Sequence, residues 1–189
     1  MNITIPEFPR MKLWFLCLPF LMLSCSREQQ SESVSTPQET LSETHLIVLG
    51  TAQDAGYPQA GCEKDCCKGF WGGKEKVKYT SCLGIVDKKS GKAWMFDATP
   101  DFKEQMQVLL KNGEELAGIF LTHAHIGHYT GLMHLGREVM GTNAVPVYAM
   151  PKMKNFLTEN GPWSQLVDLN NISLQGLKAD STIVLGDNF

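Results

Sequence analysis

Residues 122–131 read Thr-His-Ala-His-Ile-Gly-His-Tyr-Thr-Gly and decide the predicted fold of this chain. His123, His125 and His128 stand close together in this stretch, and imidazole is the commonest side-chain ligand of metal ions. The apolar run at 117–121 just before them is typical of a buried strand. Apolar residues at helical spacing follow, namely Tyr129, Leu132, Met133, Gly136, Val139 and Met140. We therefore predict that a strand and a helix meet at the histidines, where α/β sheets place ligands and a helix amino terminus favours anions.

The same stretch resembles the signature of the metallo-β-lactamase fold hydrolases, which is His-x-His-x-Asp-His after an apolar strand. The match holds at His123, His125 and His128 and fails at Gly127, which stands at the aspartate position. The resemblance implies an α/β fold, the αββα sandwich, of which this chain carries the first half. It also implies that the three histidines are metal ligands, with zinc as one or two ions and with iron or manganese as alternatives. Gly127 favours a single-metal or asymmetric site, and a polar loop without metal is the competing interpretation.

The loop after the first strand, with Gly-Thr-Ala-Gln-Asp-Ala-Gly-Tyr-Pro-Gln at 50–59, resembles one branch of that family. The branch contains the pyrroloquinoline quinone biosynthesis B protein and cyclic-phosphate phosphodiesterases. In the phosphodiesterases, cysteines near this loop hold a structural zinc ion, which implies a structural metal at Cys62, Cys66 and Cys67. Disulfides among these three and Cys82 are the alternative, because an exported protein meets an oxidising environment. Cys82 lies in a strand pattern and is predicted to be a small core residue.

Residues 1–25 are predicted to be a lipoprotein signal peptide, with Met11 as an alternative start. The apolar run at 13–23 is too short to span a membrane but has the length of a signal-peptide core. It ends in Leu23-Ser24-Cys25, which resembles a bacterial lipoprotein processing box with Cys25 as the lipidated residue. A buried amphipathic helix is the alternative, although the run has no polar face. We therefore predict export and a lipid anchor in a bacterial membrane, on the periplasmic side or at the cell surface.

The remaining sequence divides into a linker and one domain. Residues 26–44 are rich in Ser, Gln, Glu and Thr, so we predict a flexible linker there and an incomplete metallo-β-lactamase-like domain at 45–189. A net charge of −3 with 43% hydrophobic residues is ordinary for a globular domain. The sequence has no basic stripe, which argues against nucleic acid as a partner. The predicted partners are a small-molecule substrate and, through the lipid anchor, a membrane.

Apolar runs and turn residues predict the elements of the domain. Strands are predicted at 46–51, 79–87, 93–96, 117–121, 145–149, 166–169, 172–175 and 182–185, and helices at 100–112 and 151–160. The run at 46–51 has the pattern of a buried strand. The segment 88–92 forms the turn of a hairpin. Asp97 ends a strand parallel to the one that delivers the histidines, and we predict that it orients a ligand histidine or the loop backbone, with a plain cap as the alternative. His134 lies off the apolar stripe and is predicted to be a solvated surface residue.

The resemblance covers about 46–148, and no histidine follows His134. We therefore expect an amino-terminal fragment that supplies at most half of a metal shell, binds zinc weakly and has low solubility. For the whole protein, the resemblance implies a hydrolase that uses a metal-bound hydroxide on an ester-like bond, with a phosphodiester favoured. One alternative is a role like that of the pyrroloquinoline quinone biosynthesis B protein in forming or handling a redox cofactor. The other is a lipid-anchored binding protein without catalysis.

Overall fold

The computed structural model describes residues 43–186, which form a mixed α/β fold around one six-stranded sheet. This confirms the predicted α/β class. The elements in chain order are β1 (Thr44–Gly50), α1 (Asp65–Trp71), β2 (Cys82–Asp87), β3 (Lys92–Phe96), α2 (Phe102–Leu109), β4 (Glu115–Phe120), β5 (Val145–Ala149), α3 (Pro151–Glu159), α4 (Trp163–Asp168) and β6 (Ile172–Gly176). The predicted signal peptide, the lipidation site Cys25 and nearly all of the linker lie outside the described residues. Within the described range, no helix is both long and apolar enough to cross a membrane.

The strands lie side by side in sequence order. β1, β2 and β3 are joined in antiparallel pairs, and the predicted hairpin between β2 and β3 is confirmed. β3, β4, β5 and β6 are parallel to their neighbours. The carboxyl ends of β3 and β4 therefore meet at one edge of the sheet, which is the edge from which the histidine segment starts.

One face of the sheet carries the hydrophobic core. Alternate residues of each strand point to the same face, and Met95, Ile119 and Val147 are completely buried there. The helices supply the other half of this core, with Phe102, Leu109, Met153, Leu157 and Leu166. On the opposite face, the rings of Phe96, Phe120 and Tyr148 stack in a row, with centroid distances of 5.1 and 4.3 Å. Burial of the layer formed by Met95, Ile119 and Val147 fixes the strand register, because a slip of one residue would exchange the two faces.

The prediction of a helix after the histidines is wrong. Two short 3-10 turns, Ile126–His128 and Thr130–Leu135, take its place. Besides the hydrogen bonds within these turns, the backbone here is bonded to the segment that follows β3, since Ala98 N donates to His128 O and Gly131 N donates to Ala98 O. A Cβ at Gly131 would lie 2.3 Å from the carbonyl oxygen of Thr99, so this close approach requires glycine. The apolar periodicity of the sequence does not reveal the hydrogen bonds that tie this segment to the residues after β3.

Several other predicted elements also differ from the structure. The strand expected at 166–169 is part of α4, where Leu166 enters the core and Trp163 packs on the rings of Tyr129 and Phe156. Residues 182–185 are not a strand, and Val184 is 72% exposed. The helix predicted at 100–112 is confirmed in its middle but is shorter, as α2. Helix α1 was not predicted.

Two predictions about burial need correction. β1 was interpreted as a buried strand, but it is an edge strand on which Leu46 and Val48 are each 58% exposed. His134 was expected on the solvated surface, but it is half-buried and stacks on Phe102, with ring centroids 5.6 Å apart. Cys82 is 2% exposed and belongs to the core, as predicted.

Candidate metal centre

The chain leaves β4 at the sheet edge and brings the three histidines close together. The ring centroid of His123 lies 4.0 Å from that of His128 and 4.6 Å from that of His125. The backbone N–H of His128 donates to the carbonyl of His125 at 2.9 Å, which closes the first 3-10 turn. His128 is buried, whereas His123 and His125 are exposed to solvent. The chain bends after the strand as predicted, although a 3-10 turn follows in place of the predicted helix, and the bend gathers the rings at this end of the sheet.

Asp97 directly follows β3 and braces this segment. Its carboxylate accepts hydrogen bonds from the backbone N–H of Thr122 at 2.8 Å and from the Thr122 hydroxyl at 2.8 and 2.9 Å. Its Oδ2 also accepts from Nδ1 of the His128 ring at 2.8 Å. The backbone φ of Asp97 is 71°, a left-handed conformation that Asp and Asn tolerate better than most residues. The side chain has the contacts expected of a residue that orients a ligand histidine, and that role stays a prediction.

The hydrogen-bond chain through Thr122 places the proton of His123. The Thr122 hydroxyl has one proton, which points to the Asp97 carboxylate, because an ionised carboxylate can only accept. The hydroxyl oxygen therefore accepts from Nδ1 of His123, 2.9 Å away. This assignment leaves Nε2 of His123 with a free lone pair. His128 follows the same logic at its first nitrogen, since its Nδ1–H donates to Asp97 and its Nε2 is left to contact another partner.

Asp54, in the loop after β1, completes the cluster and was not singled out from the sequence. Its Oδ1 lies 2.9 Å from Nε2 of His128, and its Oδ2 lies 2.9 Å from Nδ1 of His125. An aspartate in a loop rich in glycine and alanine has no spacing that links it to histidines about 70 positions later. Only the pairing of β1 with β2, and of the loop with residues 78–81, brings it to this edge.

The charges of this cluster depend on one another. Burial by itself would lower the pKa of His128, but its hydrogen bonds to Asp54 and Asp97 oppose burial and leave the pKa raised. The hydrogen bond with His128 is the main reason that the pKa of Asp54 is lowered, against an opposing effect of burial and with a further contribution from His125. The site therefore favours a positive charge between two carboxylates, whether that charge is a proton or a metal ion.

The donor set fits a divalent ion. One ligand atom each from Asp54, His123 and His128 lies within 4.8 Å of the other two. Nitrogen and carboxylate oxygen donors suit zinc, iron and manganese, and three protein ligands with an open position are typical of catalytic zinc sites. His125 does not belong to this close set and reaches it through the second oxygen of Asp54. Metal ligation by His123, His125 and His128 stays a prediction. The geometry fits it more directly for His123 and His128, which belong to the close set, than for His125.

An open cleft of about 500 Å³ adjoins the cluster. Its lining residues are Gln53, Asp54, Ala55, Pro100, His125, Ile126, Gly127 and Thr130. No lysine or arginine lines it, and Ala55, Pro100 and Ile126 give it an apolar wall. The cleft can thus hold an apolar group next to the histidines, but its walls offer no fixed cation for an anion.

The three cysteines lie together at the start of α1, as the resemblance implied. Cys66 Sγ lies 3.8 Å from Cys62 Sγ and 3.9 Å from Cys67 Sγ, and the three sulfurs form the second set that could hold a metal ion among the described residues. None of them forms a disulfide in the structure. The hydrogen bond between Cys62 and Cys67 lowers the pKa of the Cys62 thiol and raises that of Cys67 to about 11. This contrast favours a thiolate at Cys62, and metal binding there stays a prediction.

Comparison with known proteins places this site in a family. The family described as "Beta-lactamase superfamily domain" matches residues 94–189, which include β3 to β6 and the histidine segment. A protein of Methylobacillus flagellatus named "Coenzyme PQQ synthesis protein B" is 32% identical over 132 residues, which are 66% of this chain and 42% of that protein. The chain therefore spans about two fifths of the length of this curated relative.

Two solved structures share the fold. The crystal structure of Zn²⁺-bound PqqB from Methylobacterium extorquens is 19% identical, with a TM-score of 0.62, and the match covers 73% of this chain and 50% of that one. A structure described as a new diphosphatase from the PhnP family is 24% identical, with a TM-score of 0.54, and covers 75% of this chain and 52% of that one. At these identities, the matches establish the shared fold.

Proposed function

The chain belongs to the beta-lactamase superfamily, and on that premise we propose that it carries the metal-dependent centre of a hydrolase that acts on an ester-like bond. The main support is the convergence of His123 and His128, each with Nδ1 engaged by a fixed partner, and with Nε2 of His128 directed at the carboxylate of Asp54. Such outer partners set the orientation and basicity of ligand imidazoles. A zinc-containing protein with the same fold supports zinc as the ion, and iron or manganese are the alternatives.

The residues of the site have separate roles in this proposal. His123, His125 and His128 would hold the ion, and it would supply Lewis acidity that activates water and polarises an ester oxygen. Asp97 holds the His128 ring and, through Thr122, the His123 ring, so that neither must reorganise when substrate arrives. None of the three histidines would then serve as a general base, because ligation would occupy the nitrogen lone pair that a base needs.

We propose a phosphodiester as the substrate class. A helix amino terminus does not favour an anion at this site, because the histidines are followed by short 3-10 turns. The cleft offers a different argument. With no lysine or arginine in its lining, it lacks the counter-charge that a doubly charged phosphate monoester needs, whereas a diester carries one charge and apolar substituents. A structure described as a diphosphatase has the same fold, which supports cleavage of a phosphorus–oxygen bond as the reaction type.

An activity comparison tests this proposal. The whole protein, purified and loaded with zinc or manganese, is assayed with bis(p-nitrophenyl) phosphate and with p-nitrophenyl phosphate. We expect turnover of the diester to exceed that of the monoester, to disappear with a chelator and to fall sharply in His123→Ala. Substitution of the exposed Met133 by Ala is the control, and it should leave the rate unchanged. Preference for the monoester would contradict the substrate class, and turnover that resists the chelator would contradict metal dependence.

The second candidate is a role in forming or handling a quinone redox cofactor, favoured by the identity to a coenzyme PQQ synthesis protein B. The test is complementation of a bacterium that lacks this protein, with the whole gene expressed and the metal content measured. Restored cofactor synthesis with iron in the purified protein would support this role over the diesterase. Failure to bind any metal would support the third possibility, a binding protein without catalysis.

We also retain two proposals that concern the rest of the chain. Cys62, Cys66 and Cys67 are proposed to hold a structural zinc ion, which should protect them from alkylation. Cys25 is proposed to carry a lipid that anchors the protein to a bacterial membrane, periplasmic or at the cell surface. Substitution Cys25→Ser should then move the protein from the membrane fraction to the soluble fraction, and unchanged fractionation would contradict the anchor.

A further inference from the structure

We propose that Asp54 is itself a metal ligand. We also propose that position 127 is glycine because the loop that carries Asp54 packs directly against its backbone. Asp54 would supply, from the loop between β1 and β2, the carboxylate donor of the site. The proposal rests on the proposed function in one respect, which is that a divalent ion binds beside His123 and His128.

The first observation is the contact between Asp54 and His128. Nδ1–H of His128 donates to Asp97, so in the neutral ring the Nε2 atom that faces Asp54 presents a lone pair. That lone pair and the carboxylate oxygen 2.9 Å away repel each other unless a proton on Nε2 or a metal ion beside both atoms separates their charges. Donors at about 2.0–2.2 Å from zinc, at angles of about 90–110°, stand roughly 2.8–3.6 Å from each other. The measured separation of 2.9 Å fits two neighbouring ligands on one ion as well as a hydrogen bond from a protonated ring.

The second observation is the close approach of the two backbones. A Cβ at Gly127 would lie 2.3 Å from the carbonyl oxygen of Asp54 and 3.0 Å from its Cβ. Atoms at 2.3 Å overlap, so any side chain at this position would displace the loop that carries Asp54. Gly127 is the position at which this chain departs from the His-x-His-x-Asp-His signature. This chain thus has glycine where the signature has a carboxylate, and the loop that carries the carboxylate of Asp54 packs against that glycine.

The third observation is that the loop is held in place before any ion binds. Backbone N–H groups of Thr51 and Ala52 both donate to Tyr79 O at 2.9 Å, and Ser81 N donates to Ala52 O at 2.8 Å. On the far side of Asp54, residues 57 and 78 exchange two backbone hydrogen bonds. Asp54 therefore sits on a short span fixed at both ends, which limits the entropy lost when it binds an ion.

This assignment changes the expected donor count. The sequence led us to expect at most half of a metal shell. With Asp54, the described residues supply one carboxylate and two imidazoles within 4.8 Å, with His125 next to the second carboxylate oxygen. Three protein ligands are the number found in catalytic zinc sites that keep a position open for water.

Binding of Mn²⁺, followed by electron paramagnetic resonance, tests the assignment. Mn²⁺ prefers oxygen and nitrogen donors and so avoids the three thiols near α1. We expect Asp54→Ala to weaken binding at least about 10-fold, in line with losses seen around metal sites. Asp168→Ala, which removes an exposed carboxylate at the end of α4, should leave binding unchanged. Equal affinity of Asp54→Ala and the unsubstituted chain would overturn the assignment while leaving the metal site intact, whereas no binding by the unsubstituted chain would overturn the proposed function as well.

A count of bound water separates a direct ligand from an orienting residue. Water proton relaxation reports how many waters the bound Mn²⁺ holds. We expect one more water in Asp54→Ala than in the unsubstituted chain, and no change in Asp97→Asn, because Asp97 touches the site only through histidines. Total loss of binding in Asp54→Ala together with measurable binding in Asp97→Asn would also support the assignment. An unchanged water number in Asp54→Ala would overturn it.

A substitution at Gly127 tests whether this position governs the placement of Asp54. Gly127→Ala removes no donor atom, yet we expect it to weaken Mn²⁺ binding at least about 10-fold because it pushes Asp54 away. Gly176→Ala, on β6, is the matched control, since no atom lies within 4 Å of its added Cβ. Normal affinity in a folded Gly127→Ala variant would show that the position does not govern Asp54.

Discussion

Replacement of Asp97 by asparagine should separate the orientation of the metal ligands from the stability of the fold. Asparagine keeps the shape of the side chain and tolerates the φ of 71° at this position, so the change adds no backbone strain. Three donors surround the Asp97 carboxylate: the N–H and O–H of Thr122 and Nδ1–H of His128. An amide must turn its own N–H₂ towards one of them, and that hydrogen bond is lost.

The expected magnitudes follow from these contacts. A hydrogen bond to a charged group contributes about 1.5–3 kcal/mol, so we expect the free energy of unfolding of the metal-free protein to fall by about that amount. The affinity for the ion should fall about 10–100-fold, because the rings of His123 and His128 lose their common brace. Urea denaturation measures the first quantity, and titration with Mn²⁺ measures the second.

Asp87 provides a matched control for this experiment. It is 4% exposed, close to the 5% of Asp97, and it accepts hydrogen bonds from Lys89 N and Ser90 Oγ in the turn between β2 and β3. Asp87→Asn should therefore destabilise the fold without changing the affinity for the ion. An Asp97→Asn variant whose affinity stays within about twofold of the unsubstituted chain would refute the orienting role.

Three further predictions concern charge, packing and the cysteines. In the metal-free protein, NMR titration of His128 should show a pKa above the ordinary value of about 6.5; the stabilisation from this raised pKa is present at lower pH and is lost as the pH rises through it. Leu132→Ala should lower the free energy of unfolding by about 2–5 kcal/mol, since this side chain is fully buried, whereas Met133→Ala, 59% exposed, should cost less than about 0.5 kcal/mol. Under alkylation with iodoacetamide, Cys62 should react first and be protected by zinc, while Cys82, whose burial raises its pKa to about 12, should stay unreactive.

The sequence predicted those parts of the fold that depend on local patterns. Six strands, the hairpin and α3 follow from apolar runs and turn residues, and each lies within a few positions of its prediction. The placement of Asp97 beside the histidine segment also followed, since parallel strands end at the same sheet edge. The prediction of these features requires no knowledge of contacts between distant segments.

The failures arose where distant segments decide the local structure. The segment 126–135 has a helical apolar pattern, but Gly131 is bonded to Ala98 and the chain forms 3-10 turns. At 166–169, a short apolar run fits either a strand or a helix, and packing of Trp163 on Tyr129 selects the helix. Asp54 could not be found because its link to His128 exists only after the loop has folded against residues 78–81.

A crystal structure of the protein grown with Mn²⁺, with data collected for anomalous scattering, tests the central claim most directly. We predict an anomalous peak in contact with Nε2 of His123, Nε2 of His128 and a carboxylate oxygen of Asp54. A peak elsewhere, or no peak beside His123 and His128 in fully soaked crystals, would contradict the existence of a metal centre at this sheet edge.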